Sequence, residues 1–347
     1  MAEREDGEAQ SIATASASLA QLRTEVTELR KKLADLEHYL HSLTLRGRVR
    51  RRLAKLLGIS LRTLRQYPPR ELQIPANYYR PLPLNDPPLI SIVTPSFNQG
   101  RFLEETIRSV LDQNYPRLEY VVQDGGSRDQ SVEVMEKYRS RLKHIESRRD
   151  NGQAHAINLG FAHATAGEIM AYLNSDDLLL PGSLNYVAAY FTAHPEVDVV
   201  YGHRIIIDPD SKEVGRWVLP RHSDQMLIWA DYVPQETMFW RRRIWDKVGG
   251  RIDESFQFAL DWDLLLRFRA AGAKFVRLPR FLGAFRIHSH QKTSAELVTN
   301  GAPEMARLRY RVHGRETDLE DIRRNMRGYM LAHAWHNWLY RLGITRP

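Results

Sequence analysis

The sequence predicts an α/β fold in which helices cover both faces of a mostly parallel sheet, with an N-terminal coiled coil before it and C-terminal helices after it. Three observations support this prediction. Short β-branched runs alternate with helical patterns from residue 89 onward. An unbroken leucine heptad precedes these runs, and apolar residues at helical spacing follow them. We therefore expect four regions, at residues 1–45, 46–88, 89–293 and 294–347.

The leucine heptad lies within residues 19–43, where apolar residues follow one another at alternating spacings of three and four. Its members are Leu19, Leu22, Val26, Leu29, Leu33, Leu36, Leu40 and Leu43. Such strict spacing is typical of a coiled coil, whereas a helix that packs on its own domain usually has a wider apolar stripe. We expect a homo-oligomer through these residues, as a parallel dimer, and a single amphipathic helix is the alternative.

Positive charge is concentrated after the heptad. The net charge is +8, and residues 46–70 contain Arg and Lys but no Asp or Glu. The basic, leucine-containing segment at 46–65 is typical of contact with an anionic membrane surface, and a solvated linker is the alternative. We expect no nucleic-acid binding, because a basic zipper places its basic helix before the heptad. Seven prolines between residues 68 and 88 then predict an extended linker.

The composition excludes several classes of protein. The chain has 347 residues, of which 43% are hydrophobic, and this is ordinary for a folded protein of about two domains. It contains no cysteine, which excludes disulfides and thiolate chemistry. No apolar run approaches the ~18 residues of a membrane span, and the polar N-terminus does not resemble a secretory signal. We expect a cytoplasmic protein, peripheral at the inner face of the membrane if the basic segment binds lipid.

The central region alternates strands with helices, and its strands end in polar loops. We expect strands at 89–94, 118–122, 144–147 and 168–173, with helices between them. The loops that follow are Pro95–Gly100, Gln123–Asp129 and Asn174–Asp177, and Asp150 to Gly152 opens a further helix. Ligands of parallel sheets collect outside the carboxyl ends of the strands. The sequence therefore predicts a ligand site at this edge.

The residue types at this edge indicate the chemistry. Asp176 and Asp177 are costly to hold side by side unless a cation neutralises them. Carboxylate oxygens suit Mg²⁺ or Mn²⁺, which commonly bring phosphate oxygens with them. Asp124 follows a strand and could accept hydrogen bonds from a base or ribose, although turn and helix-cap roles are equally common for such residues. Neither a G-x-G-x-x-G nor a G-x-x-x-x-G-K-[ST] phosphate loop is present.

The central region resembles glycosyltransferase family 2, the inverting enzymes of polysaccharide and glycolipid assembly with the Rossmann-like GT-A fold. The motifs that carry the resemblance are ISIVTPSFNQGRFLEETIRSVLDQNYP, YVVQDGGSRDQS, RRDNGQAHAINLGFAHATAGEIMAYLNSDDLLLPGSL, QETMFWRRRIWDKVGG and ALDWDLLLRF, in this order. The resemblance implies transfer of a sugar from a nucleoside diphosphate donor, with UDP as the expected nucleotide. The expected acceptor is a saccharide or a lipid-linked glycan.

The resemblance also implies roles for individual residues. Asp261 matches the general base, and Asp176 and Asp177 match the metal and ribose pair, with Asp177 as the more direct ligand of Mg²⁺ or Mn²⁺. Asp124 matches the residue that contacts the nucleobase. The other matches on the donor side are Pro95, Ser96, Asn98, Asp150, Gly152 and Asn158. A helix cap is the alternative role for Asp261, because an apolar helix follows it.

Three residues depart from the family pattern. Asn174 stands where many members have the first Asp of a D-x-D motif, so fewer carboxylates are available for a metal. Leu260 replaces an acidic residue that often precedes the base. Gly125 replaces a second Asp after the second strand, and the glycine form also occurs among relatives.

Weaker expectations concern the rest of the site. His288 could complete the metal site and Arg286 or Lys292 could meet phosphate, or all three belong to a solvated basic loop. Gln235, Glu236 and Trp262 could line an acceptor groove, although buried tryptophans are more often core.

Two rival functions stay open at the level of sequence. A sugar-phosphate nucleotidyltransferase would keep the fold, but such enzymes usually have a Gly-rich basic loop where this chain has PSFNQG. A coiled-coil scaffold with a degenerate sugar-binding domain is the second rival. The joint presence of Asp124, Asp176, Asp177 and Asp261 favours the enzyme.

Overall fold

The computed structural model describes residues 64–288 and 300–345. The predicted coiled coil at 19–43, nearly all of the basic segment at 46–65 and Lys292 lie outside the described residues. None of the helices within the two described ranges is both long and apolar enough to cross a membrane.

Nine strands of the described residues form one mixed sheet. They are β1 (Ile90–Ser96), β2 (Leu118–Asp124), β3 (His144–Ser147), β4 (Ile169–Tyr172), β5 (Leu178–Leu179), β6 (Val199–Ile207), β7 (Glu213–Trp217), β8 (Phe239–Arg241) and β9 (Phe275–Arg286). The order in the sheet is β3-β2-β1-β4-β8-β6-β9-β5, and β7 pairs with β6.

The first half of the sheet is parallel, as the alternating pattern predicts. β3, β2, β1 and β4 all run in the same direction, and β6 and β9 form a second parallel pair. β5, β7 and β8 are antiparallel to their neighbours. β5 and β8 have only two and three residues, so neither is long enough to show an alternating pattern in the sequence.

Helices lie along the chain between and after the strands. They are α1 (Gly100–Leu111), α2 (Ser131–Tyr138), α3 (Gln153–His163), α4 (Ser183–Ala193), α5 (Asp224–Leu227), α6 (Arg242–Lys247), α7 (Leu260–Ala270), α8 (Ala302–His313) and α9 (Leu319–Arg341). Short 3₁₀ helices span Ala76–Tyr79, Arg139–Arg141 and Gln235–Thr237. The predicted C-terminal helical extension is confirmed over the described residues by α8 and α9.

The core has two halves, one on each face of the sheet. Successive strand residues point to opposite faces, so Val93 and Val121 pack with α3 and α7 in one apolar cluster. Ile92 and Val122, each one residue away, pack with α1, α2 and α4 in the other. The predicted arrangement of helices on both faces is therefore confirmed.

The start of α1 lies close against the loop before α2. A Cβ atom on Gly100 would come within 2.8 Å of the backbone nitrogen of Ser131, so a larger residue does not fit there. The Gly100 N–H donates to Asp129 Oδ2, and Asp129 Oδ1 accepts from the Ser131 N–H. Asp129 thus joins the loop after β1 to the loop after β2.

The helix α8 packs on α7 and supports its N-terminus. Glu304 accepts hydrogen bonds from the backbone N–H groups of Gln257, Phe258 and Ala259, just before α7 begins. A carboxylate at this position satisfies free N–H groups and complements the helix dipole. Arg311 of α8 also pairs with the buried Asp263 of α7 at 2.6 Å.

Candidate functional site

The turn after β4 carries the predicted metal-binding pair. Asp177 is buried, and its Oδ1 accepts a hydrogen bond of 2.9 Å from the backbone N–H of Arg286. Burial, followed by the charges of Asp176 and Glu236, raises the pKa of Asp177 well above its usual value. A carboxylate in such surroundings gains stability from a bound cation, because the cation replaces the lost solvation.

His288 lies beside this pair. Its Nε2 is 3.0 Å from Asp176 Oδ2, and its ring packs on Phe102 with the ring centroids 4.9 Å apart. Asp176 and His288 are therefore in contact just after β9 ends, and the buried Asp177 is the next residue of the same turn. This set of oxygen and nitrogen donors fits a divalent cation such as Mn²⁺ or Mg²⁺.

Arg286 holds the turn in place from behind. Its buried side chain donates from Nε to the carbonyl oxygen of Asp176 and from Nη2 to Glu105 Oε2. Its Nη1 donates to Ser211 Oγ and to the carbonyl oxygen of Asp208. The expectation that Arg286 meets phosphate is wrong, because its N–H groups are used inside the protein.

A chain of amides replaces the missing carboxylate of the D-x-D pattern. Asn174 Oδ1 accepts from Gln153 Nε2 at 2.7 Å, and Asn174 Nδ2 donates to Gln235 Oε1 at 3.2 Å. Gln235 Nε2 in turn donates to the carbonyl oxygen of Tyr172. Gln235 is buried and orients Asn174, so its predicted place in an acceptor groove is corrected.

Glu236 is likewise committed to a partner inside the protein. Its side chain is fully buried and forms a two-bond ion pair with Arg204, with Nε and Oε1 2.7 Å apart. The predicted acceptor role of Glu236 is therefore corrected as well. The charge of Arg204 lowers the pKa values of Asp177, Asp231 and Asp261, so this cation lies within electrostatic reach of all three carboxyls.

Asp261 lies in the first turn of α7. Its Oδ1 accepts a 2.8 Å hydrogen bond from the N–H of Trp262. Burial raises the pKa of Asp261 to about 6, against the opposing effects of that N–H and of Arg204. A carboxyl with this pKa is ionised at neutral pH and is a stronger base than an ordinary aspartate.

Asp231 is a member of the site that the sequence did not indicate. Desolvation and the nearby charge of Asp261 raise its pKa well above the usual value, although the residue is accessible to solvent. It lies outside the helices and strands, where no periodic pattern marks it. Asp176, Asp177, Asp231 and Asp261 are called the acidic cluster below.

Trp262 belongs to the core. The residue is fully buried, and its Nε1 donates to the carbonyl oxygen of Leu227 at 2.7 Å. Its predicted role in an acceptor groove is wrong, because neither ring face is accessible.

The loops after β1 and β2 are tied to each other. Pro95 and Ser96 pair with Gln123 and Asp124 in the sheet, and Ser96 Oγ is buried with no hydrogen-bond partner among the described residues. Asn98 has a φ of 53°, in the left-handed region that asparagine tolerates. Asn98 makes two hydrogen bonds to the loop after β2. Its Oδ1 accepts from the N–H of Arg128, and its own N–H donates to Ser127 Oγ.

Asp124 shapes its own loop. Its Oδ2 accepts from the N–H groups of Gly126 and Ser127 and from Ser147 Oγ, and its Oδ1 accepts from Ser127 Oγ. The residue is fully buried. A contact with a nucleobase stays a prediction, and such a contact would share oxygens that already accept four hydrogen bonds.

Asp150 closes the turn before α3. Its Oδ1 accepts from the N–H of Gly152, which has a φ of 105° that only glycine adopts readily. A Cβ atom on Gly125 would lie 3.0 Å from Asp150 Oδ2. The glycine that departs from the family pattern thus leaves room for the Asp150 carboxylate.

Asn158 is a structural residue of α3. Its Nδ2 donates to the carbonyl oxygen of Ile252 and to Glu254 Oε1, and its Oδ1 accepts from the N–H of Ile252. A contact between Asn158 and the donor stays a prediction, and such a contact would use an amide that already makes three hydrogen bonds to the segment before α7.

The central region is similar in sequence to known glycosyltransferases. Residues 91–249 match the family model described as Glycosyl transferase family 2. An uncharacterized glycosyltransferase of Nostoc sp. is 31% identical over 46% of this chain and 52% of that protein. The O-antigen biosynthesis protein RfbC of Myxococcus xanthus is 30% identical over 65% of this chain and 20% of that protein. The chain thus matches about half or less of the length of these two relatives.

Solved structures share the fold at low sequence identity. TarS of S. aureus in complex with UDP-GlcNAc has a TM-score of 0.52 and 15% identity, over 74% of this chain and 92% of that chain. A mannosyltransferase of Pyrobaculum calidifontis in complex with GDP-Man and Mn²⁺ has a TM-score of 0.52 and 17% identity, over 76% of this chain and 77% of that chain. The predicted GT-A fold is therefore confirmed.

Proposed function

We propose that this chain, which belongs to glycosyl transferase family 2 through residues 91–249, is a sugar transferase. It transfers a sugar from a nucleoside diphosphate sugar to a hydroxyl acceptor, with inversion at the anomeric carbon. The observation that carries the proposal is the position of Asp261. The Asp261 carboxyl has a pKa of about 6, and the charge of Arg204 acts on it. The charge of Arg204 also acts on the carboxyl of Asp177. A base and a site for the diphosphate are thus available together.

The proposed reaction is a single displacement. Asp261 takes the proton of the acceptor hydroxyl while that oxygen attacks the anomeric carbon of the donor. The bond between the anomeric carbon and the diphosphate oxygen breaks on the opposite face, so the configuration inverts. Burial and then the charge of Glu236 raise the pKa of Asp261 and thereby favour the protonated form that results from the transfer.

Asp177, Asp176 and His288 would hold the divalent cation of the site. The fit rests on the buried carboxylate of Asp177 and on the 3.0 Å contact between Asp176 and His288. When bound, Mg²⁺ or Mn²⁺ would offset the negative charge of the diphosphate. Arg286 holds the carboxylate of Asp177 through its N–H and the backbone of Asp176 through its side chain.

The donor and acceptor are proposed at the level of class. TarS is solved with UDP-GlcNAc and the mannosyltransferase with GDP-Man, which supports a nucleotide sugar as donor here. We take UDP as the first nucleotide to test. The name of RfbC refers to O-antigen biosynthesis and supports a growing or lipid-linked glycan as acceptor. Self-association through residues 19–43 and membrane contact through 46–65 stay proposals.

A thermal-shift panel tests the function. UDP, GDP, dTDP, CDP and ADP are added singly to the full chain with Mn²⁺, Mg²⁺ or EDTA. A ligand at 100 times its dissociation constant stabilises the folded protein by about 2.7 kcal/mol, which is readily measured as a higher melting temperature. We expect a rise with one nucleotide that EDTA removes.

Two variants make this panel decisive. Asp177→Asn keeps the shape of the buried side chain and should lose the metal-dependent rise. Asp253→Asn, at an exposed turn that ends before α7, is the matched control and should keep it. No shift with any nucleotide in the wild-type chain would contradict the proposal and favour a non-catalytic scaffold.

A further inference from the structure

Two histidines and a glutamate meet at the edge of the sheet, away from the acidic cluster. His144 and Glu146 are two residues apart on β3, the last strand on that side, and so point to the same face. His163 ends α3, which packs across β1 and β2. One potential ligand atom from each side chain lies within 4.8 Å of the other two. Among the described residues, no other group of three His, Cys, Asp or Glu side chains has this spacing.

The two imidazoles are already in contact and one of them lacks a partner. The rings of His144 and His163 stack with their centroids 3.7 Å apart and their planes 15° apart. The Nε2 atom of His144 is buried and makes no hydrogen bond within the described part of the chain. Burial, followed by the neighbouring His163, lowers the pKa of His144, so the neutral form that binds metals is favoured.

We propose that His144, Glu146 and His163 form a second metal site, selective for Zn²⁺ or a similar transition ion. Two imidazole nitrogens and one carboxylate oxygen, with water in the fourth position, are a common zinc ligand set. Mg²⁺ prefers oxygen ligands and is not expected to bind here. The site is independent of the proposed sugar transfer.

Binding requires a small local rearrangement. Zinc bonds of about 2.1 Å would bring neighbouring ligand atoms to roughly 3.4 Å from each other. In the structure the three ligand atoms lie within 4.8 Å of one another, so they have to move closer together. Lone pairs of parallel stacked rings cannot converge on one ion, so one ring has to turn. His163 is exposed and free to do so without disturbing the core.

The site connects to the loops of the candidate active site through β3. Glu146 accepts a hydrogen bond from Gln123 Nε2, and Ser147, the next residue, donates to Asp124. The ion would therefore join the edge strand to the C-terminus of α3, next to a loop that the proposed donor contacts. This gives the ion a structural role beside the loop after β2.

Zinc binding to the metal-stripped full chain tests the proposal. All variants carry Asp177→Asn, which weakens binding at the acidic cluster, and titration calorimetry measures stoichiometry and affinity. His163→Gln changes an exposed ligand without emptying the core. His194→Gln is the matched control, because His194 is a surface histidine 3.8 Å from Glu196.

The parent is the chain that carries Asp177→Asn alone. We expect the parent and the His194→Gln control each to bind one zinc ion at micromolar affinity. His163→Gln should lower the affinity at least tenfold, and Glu146→Gln should act in the same direction. Mg²⁺ at millimolar concentration should leave the zinc isotherm unchanged. Equal zinc binding by the parent and His163→Gln, or no zinc binding by the parent, would show that the histidines are only a stacked neutral pair.

Discussion

Asp124 and Asp261 are both aspartates at the polar edge of the sheet, but their carboxylates are in opposite situations. Asp124 accepts four hydrogen bonds from its own loop and from Ser147. Asp261 accepts from the N–H of Trp262, and burial raises its pKa to about 6. The first carboxylate holds its loop together, while the second has a raised pKa, which suits the role of base that is proposed for it. Two aspartates at the same site thus differ in the number of hydrogen bonds that the protein supplies to their carboxylates.

The largest expected effect is that of Asp261→Asn on the rate of sugar transfer. A positioned general base contributes typically ~10²–10⁴-fold, and the amide cannot take the acceptor proton. Nucleotide affinity should not change. The melting temperature should not fall, because burial disfavours the charge that the substitution removes. Full activity of the variant in a transfer assay would show that Asp261 is not the base.

Asp124→Asn should lower the stability of the fold, which Asp261→Asn is expected to leave intact. The amide nitrogen cannot accept the hydrogen bonds that one carboxylate oxygen accepts now, and bonds to a charged group are worth about 1.5–3 kcal/mol each. We expect the free energy of unfolding to fall by about 3 kcal/mol, measured by urea denaturation. An unchanged stability would remove the distinction between the two aspartates.

The pH dependence of transfer sharpens the role of Asp261. Its folded pKa is raised, so the ionised base is lost as the pH falls through about 6. The rate at pH 5 should be about tenfold below the plateau. Activity that stays constant down to pH 5, in a protein that remains folded by circular dichroism, would assign the base to another group.

The smallest expected effect is that of Asn158→Ala. The substitution removes hydrogen bonds to Ile252 and Glu254 and should lower the free energy of unfolding by about 1 kcal/mol. The KM for the donor should stay the same, since the amide is used within the protein. A tenfold rise in KM at unchanged stability would instead support the donor contact that the family pattern predicts.

The elements of the central region could be predicted because their signals are local. β1, β2 and β4 agree with the predicted strands within two residues, since β-branched runs and turn residues mark them directly. The position of the site at the carboxyl ends of the strands follows from the same pattern. This part of the prediction needed no knowledge of tertiary partners.

The roles of individual polar residues could not be predicted in the same way. Whether a side chain is free depends on partners distant in sequence, as with Asn158 and Ile252 or Arg204 and Glu236. Trp262 could not be separated from a sugar-binding tryptophan until its burial was known. Asp231 lies in a segment with no periodic signal, so only the fold brings it near Asp261.

The three hydrogen bonds that Glu304 accepts ahead of α7 have a consequence for how this protein can be divided. The helix that carries Asp261 is completed by a residue located beyond the 91–249 family match. A fragment cut after residue 293 would leave those N–H groups open and the helix start free to fray. The smallest fragment expected to keep this helix start intact therefore extends through α8, and chimeras with relatives should exchange α7 and α8 as one piece.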